Sequence, residues 1–139
     1  MAGERLFIDT GGFYALIAPA SPAHSRAVEI ITQLAKGRRR AVTTDYVIDE
    51  TATLLRMRGL GKLLTELFRL TEESRALQVE WVSPDRFVAA RKMMMKHLDQ
   101  EFSFTDCTSF VVMRELRLTD ALATDRHFRI AGFNPLLTD

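Results

Sequence analysis

Four acidic residues, Asp9, Glu50, Asp106 and Asp125, stand where a carboxylate can do chemistry. Asp9 follows the apolar run RLFI and precedes Thr10-Gly11-Gly12, and Glu50 sits within TTDYVIDETATLL. Asp106 lies in FSFTDCTSFVVM, and Asp125 lies nineteen positions later in ALATDRHF. These last two meet if the helix at Asp106 packs antiparallel on the strand that Asp125 closes. Carboxylates gathered in one cleft raise one another's pKa, so such a cluster calls for cations. With no Cys/His spacing of the zinc type, carboxylate ligation selects hard ions such as Mg²⁺ or Mn²⁺. These ions keep several waters, bind phosphates, and lower a water's pKa for in-line attack on a phosphodiester.

Each acid also has a plainer role. Asp9 suits a strand end that caps the next helix. Glu50 shares a helix face with Val47 and Leu54, three before and four after it. It therefore borders an apolar stripe, where it needs a partner or snorkels to the rim. Ser103-Phe104-Thr105-Asp106 fits a capping box, which accounts for an acid at that position without catalysis. Asp125 can cap the turn that begins at Arg126. The joint arrangement, more than any single residue, points to a site.

The elements that must position these acids alternate between strand and helix. Arg5–Ile8, Ala41–Thr43, Val79–Val82 and Ala121–Thr124 read as short buried strands. Between them the sequence predicts helices over Phe13–Ala18, from Ser21-Pro22 to Gly37, over Tyr46–Arg58, and from about Lys62 to Ser74. Two more start at Ser83-Pro84 and at about Thr105. The Ser83-Pro84 helix is expected to turn Phe87, Arg91, Met94, Met95 and Leu98 to one side, and the Lys62 helix to bury Leu63, Leu64, Leu67 and Phe68. A helical turn follows Asp125, and Phe133–Leu137 is a last apolar piece. The pattern implies one α/β domain over residues 1–139, a three-layer α/β/α sandwich on a mostly parallel sheet. Ligands of such sheets collect at the carboxyl ends of the strands, where Asp9 and Asp125 both stand.

Composition sets outer bounds. The 139 residues are 47% hydrophobic and 27% charged, ordinary for a globular chain. No apolar run approaches the roughly 18 residues of a membrane span, and residues 1–20 lack a signal-peptide pattern. With the lone Cys107, this favours a reducing cytoplasm. Net charge is +1, with 19 basic and 18 acidic residues; setting four acids aside leaves 19 against 14, a surface of +5. A basic surface around a metal-neutralised hole suits a polyanion.

FIDTGGFYAL, TTDYVIDETATLL, FSFTDCTSFVVM and ALATDRHF together resemble the four acidic blocks of PIN-domain ribonucleases, in the order and spacing of the small VapC-type toxins. The resemblance covers essentially the whole chain. It implies a PIN-like fold and Mg²⁺- or Mn²⁺-dependent cleavage of single-stranded RNA, with 5′-phosphate and 3′-hydroxyl products. It matches Asp9, Glu50 and Asp106 to the three core acids and Asp125 to a fourth, more variable one. Thr10 and Thr105 match hydroxyl positions that orient carboxylates or water, and Thr124 is a further candidate. A cognate antitoxin and a homodimer are implied as well. Gly11-Gly12 departs from the pattern, since many relatives carry a polar residue in that turn.

Two other readings compete. A non-catalytic RNA- or protein-binding relative would keep the fold, but all four acids are intact. A phosphatase or receiver-like domain would use Asp9 as nucleophile, yet glycine occupies position 11, where phosphatases of that kind carry a second aspartate. His127 reads as an exposed turn histidine that can also contact substrate, and Arg38–Arg40 as a solvated turn that can also meet phosphates. Met93–Met95 and Cys107 read as packing residues.

Overall fold

The apolar triplet Leu6-Phe7-Ile8 is buried along its whole length, the mark of a strand covered on both faces. It forms β1, the middle of a five-stranded sheet in the computed structural model, which describes residues 4–138. The other strands are β2 (Ala41–Thr44), β3 (Leu77–Glu80), β4 (Asp120–Leu122) and β5 (Asn134–Pro135). Their order is β3-β2-β1-β4-β5, and every pairing is parallel.

The connections are helical: α1 (Thr10–Ile17) and α2 (His24–Lys36) precede β2, and α3 (Asp45–Met57) and α4 (Leu64–Glu73) precede β3. Then α5 (Pro84–Lys96) and α6 (Phe104–Glu115) lead to β4, and α7 (His127–Ile130) leads to β5. Right-handed crossovers place α1–α4 on one face and α5–α7 on the other. In the packing α1 meets α2 and α3, α3 meets α4, and α5 lies along α6, while α3 also meets α6, with Tyr46 against Phe104. The expected three-layer sandwich is present. The chain builds outward from β1 through β2 to β3, then returns to add β4 on the opposite side of β1. The order of strands therefore reverses between β1 and β4, and a crevice opens at their carboxyl ends.

Several elements are shifted from their expected bounds. The second helix begins at His24, because Ser21 and Pro22 form a turn of their own: the Ser21 hydroxyl accepts from the Ala23 amide at 3.2 Å. The same dipeptide at Ser83-Pro84 does start a helix, with the Ser83 hydroxyl accepting from the Arg86 amide. Strand β3 lies two residues early because side chains claim the backbone beyond it. Asp45 accepts from the Val82 amide at 2.8 Å, and Arg86 donates to the Trp81 carbonyl at 2.9 Å. Strand β4 stops at Leu122, since β1 ends at Ile8 and offers no ladder beyond it. The predicted apolar face of α5 is also displaced. Ala90 is its buried residue, whereas Met95 and Leu98 are exposed, as is Phe68 on α4.

Glycines set the distance between α1 and β4. A Cβ on Gly12 would lie 2.0 Å from the Leu122 carbonyl oxygen, and one on Gly11 would lie 2.2 Å from Thr124 Oγ1. The pair admits the neighbouring strand, so that Asp9 and the end of β4 share one crevice.

Candidate metal centre

Asp9 leaves the end of β1 at the N-cap position of α1, but its carboxylate makes no cap hydrogen bond. Its backbone is held on both sides, donating to the Leu122 carbonyl and accepting from the Phe13 amide. The side chain is 4% exposed, and its Oδ1 has no partner among the described residues. An unpartnered carboxylate oxygen at that depth is costly unless a proton or a cation meets it. Burial pushes the Asp9 pKa from an ordinary 3.8 to about 8; the charges of Asp106, Glu50 and Asp125 add to the rise, and the Thr10 amide opposes it. Three other carboxylates from distant parts of the chain therefore act on this one.

Asp106 is held by the capping box that the sequence predicts. The Ser103 hydroxyl accepts from the Asp106 amide at 3.0 Å, and the Asp106 carboxylate accepts from the Ser103 amide at 3.1 Å. Burial raises its pKa, and the charge of Asp125 raises it further against the opposing Ser103 amide and His127 ring. Capping and clustering are thus compatible, because the helix start fixes where the carboxylate points.

Asp125 also does what its plain reading requires: its Oδ1 accepts from the His127 amide at 2.8 Å. The same turn swings the His127 ring over the crevice. His127 Nδ1 lies 3.2 Å from Asp125 Oδ1 and 3.3 Å from Asp106 Oδ2. An edge contact with Phe102, at 5.6 Å between centroids, supports the ring. Asp106, Asp125 and His127 bring donor atoms within 4.8 Å of one another, a spacing that one metal ion can bridge. Asp9 and Glu50 stand outside that tight trio.

Glu50 reaches the site through Thr10, whose hydroxyl donates to Glu50 Oε1 at 2.6 Å. Its neighbour Asp49 is exposed, as the helical spacing predicts. Thr105 offers its carbonyl to the Thr108 hydroxyl, and Thr124 is an exposed residue beside Gly11. Sequence reasoning undervalued His127. The signal was its place two residues after Asp125, where an Asx turn folds the side chain back toward the acid.

The donor set fits a divalent cation: an orphaned buried oxygen, clustered acids that destabilise one another as anions, and one imidazole.

A doubly wound parallel sheet with an acidic cluster at its switch point, spaced so that a metal ion could be held there, places the chain among metal-site α/β domains. The chain belongs to the PIN domain family, whose model matches residues 6–134. Over 128 residues it is 32% identical to the 23S rRNA-specific endonuclease VapC20 of Mycobacterium tuberculosis, covering 92% of this chain and 95% of that one. It is 30% identical over 115 residues to the VapC ribonuclease of Archaeoglobus fulgidus, covering 80% and 71%. The crystal structure of M. tuberculosis VapC20, a Sarcin-Ricin loop cleaving toxin, matches with a TM-score of 0.81 at 30% identity, over 92% of this chain and 95% of that one. FitAcB from Neisseria gonorrhoeae shares the fold, with a TM-score of 0.61 at 17% identity over 94% and 97%. The resemblance read from the four acidic blocks is borne out.

Proposed function

We propose that this PIN-domain protein is a metal-dependent endoribonuclease that cuts single-stranded RNA and acts as the toxin of a type II toxin–antitoxin pair. The observation that carries the reading is the partnerless Oδ1 of Asp9, buried where the fields of Asp106, Glu50 and Asp125 converge. Mg²⁺ or Mn²⁺ bound there would neutralise the acids and supply a lowered water pKa and charge stabilisation for in-line phosphodiester hydrolysis.

The chain's own residues do the positioning. Asp9, Asp106 and Asp125 would hold the cation, with Glu50, oriented by the Thr10 hydroxyl, as a further acid of the site. Ser103 and the His127 amide lock two of these acids in orientation, so that little reorganisation is needed when substrate arrives. Thr105 and Thr124 lie beside the acids as candidates for water or phosphate contacts. The names of the VapC20 relative point to a ribosomal RNA loop as substrate class. A cognate antitoxin and a homodimer complete the proposal.

The test is cleavage of an RNA pool by wild type, Asp9→Asn and Asp106→Asn in Mg²⁺ or Mn²⁺, with end mapping and a chelator control. The expected result is 5′-phosphate and 3′-hydroxyl ends from wild type alone. Wild-type rates from either variant would refute the mechanism.

A further inference from the structure

The closest-spaced donor set in the crevice is not all carboxylate. His127 Nδ1 stands 3.2 and 3.3 Å from one oxygen each of Asp125 and Asp106. Adjacent ligands of a six-coordinate ion with bonds of about 2.1 Å are separated by about 3 Å. The spacing therefore suits a shared cation as well as it suits a shared proton. Beside the trio lies Asp9, 4% exposed, with an oxygen that nothing in the described residues satisfies and a carboxyl that senses both acids.

The imidazole is also fixed in place. The His127 amide is tied to Asp125 at 2.8 Å, and the ring edge rests on Phe102, itself buried against Phe110. A ring held from two sides keeps Nδ1 aimed into the crevice, whereas the other histidines are engaged elsewhere. His24 Nδ1 is bonded to the Ala15 carbonyl at 2.8 Å, and the His97 ring stacks obliquely beside Phe102.

We infer that His127 is a nitrogen ligand to the metal, and that it makes the centre select a transition-series divalent ion over Mg²⁺. Oxygen-only sites serve Mg²⁺ well, but an imidazole adds affinity for first-row transition ions and little for Mg²⁺, which prefers oxygen and keeps its waters. The assignment rests on the proposed metal-dependent function and specifies its cofactor. Asp106, Asp125 and His127 form the preorganised donor trio, and Asp9, with its unpartnered oxygen, would be the further ligand.

The experiment uses Mn²⁺ and Mg²⁺ as probes on the full, metal-free chain in a nitrogen-free buffer. Calorimetric titration gives both affinities for wild type, His127→Gln and His127→Phe; the phenylalanine keeps the ring volume against Phe102. Pulsed electron paramagnetic resonance of the Mn²⁺-loaded protein reads coupling to ligand ¹⁴N. Wild type is expected to bind Mn²⁺ at least about tenfold more tightly than Mg²⁺ and to show imidazole nitrogen coupling. Both variants are expected to lose that coupling and about tenfold or more in Mn²⁺ affinity, with Mg²⁺ affinity changed less than about threefold. Absence of ¹⁴N coupling in wild type, or equal losses for both ions, overturns the ligand assignment while leaving metal-dependent cleavage intact. Binding of neither ion, together with cleavage by Asp9→Asn, overturns the underlying function as well.

Discussion

Replacing Asp9 by asparagine separates the cost of the site from its use. In the metal-free protein the Asp9 carboxyl titrates near pH 8 when folded, against an ordinary 3.8. Below about pH 3 it is protonated in both states and contributes nothing to the balance. As pH rises toward 8, the folded protein keeps a proton that the unfolded chain has released. Stability then falls by about 1.4 kcal/mol per pH unit, roughly 6 kcal/mol in full, and is not recovered above pH 8. Asparagine keeps the shape and cannot ionise, although it buries an amide hydrogen-bond donor that costs about 1–3 kcal/mol unless it finds a partner. Asp9→Asn is therefore expected to be close to wild type in stability near pH 5 and clearly more stable near pH 8.5. The gap between the two should widen by about 4 kcal/mol over that range. Denaturant unfolding in chelator at a series of pH values measures it, and added Mn²⁺ should narrow the gap by binding folded wild type. Parallel pH profiles, with the gap changing by less than about 1 kcal/mol, would show that Asp9 is not the strained group described here.

Asp106→Asn and Asp106→Ala should both abolish cleavage. Alanine should cost about 1 kcal/mol more in thermal unfolding, since it loses the bond from the Ser103 amide. Gly12→Ala should destabilise by about 3 kcal/mol, because its Cβ meets the Leu122 backbone. Gly11→Ala should cost less, as the Thr124 hydroxyl it meets can rotate away; equal melting temperatures for the two would contradict the close packing of α1 on β4. Thr10→Val removes the 2.6 Å bond to Glu50 and should slow cleavage about tenfold at a stability cost near 1 kcal/mol, read by single-turnover kinetics and melting.

The parts of this fold that were legible in the sequence are those set by local rules. Ser103 and Asp106 are three residues apart, so their reciprocal bonds are decided within one helical turn. The triplet Leu6–Ile8 can only be a strand buried on both faces once turn residues bound it. The missed features depend on what another element does. No local signal says that Asp45 captures the Val82 amide across 37 residues, so the end of β3 was misplaced. The periodicity of α5 fits several faces, and only its packing against α6 selects Ala90 for burial. His127 was undervalued for the same reason, because its second anchor, Phe102, lies 25 positions away.

The same distinction explains how a crevice that repels itself stays assembled. Asp106 and Asp125 are each held by a bond local in sequence, from the Ser103 amide and the His127 amide, and Glu50 is held by the Thr10 hydroxyl from another helix. None of these bonds depends on a cation, so the three carboxylates are oriented before any ion arrives. Asp9 has no such bond at Oδ1; its backbone is held between β4 and α1, and only the Thr10 amide opposes the rise of its pKa. The unfavourable electrostatics fall on the Asp9 and Asp106 carboxyls together, at the point where the strand order reverses, and Asp9 alone is left with an unpartnered oxygen. A cation meeting that oxygen would relieve a strain the fold already holds, with little binding free energy spent on ordering side chains.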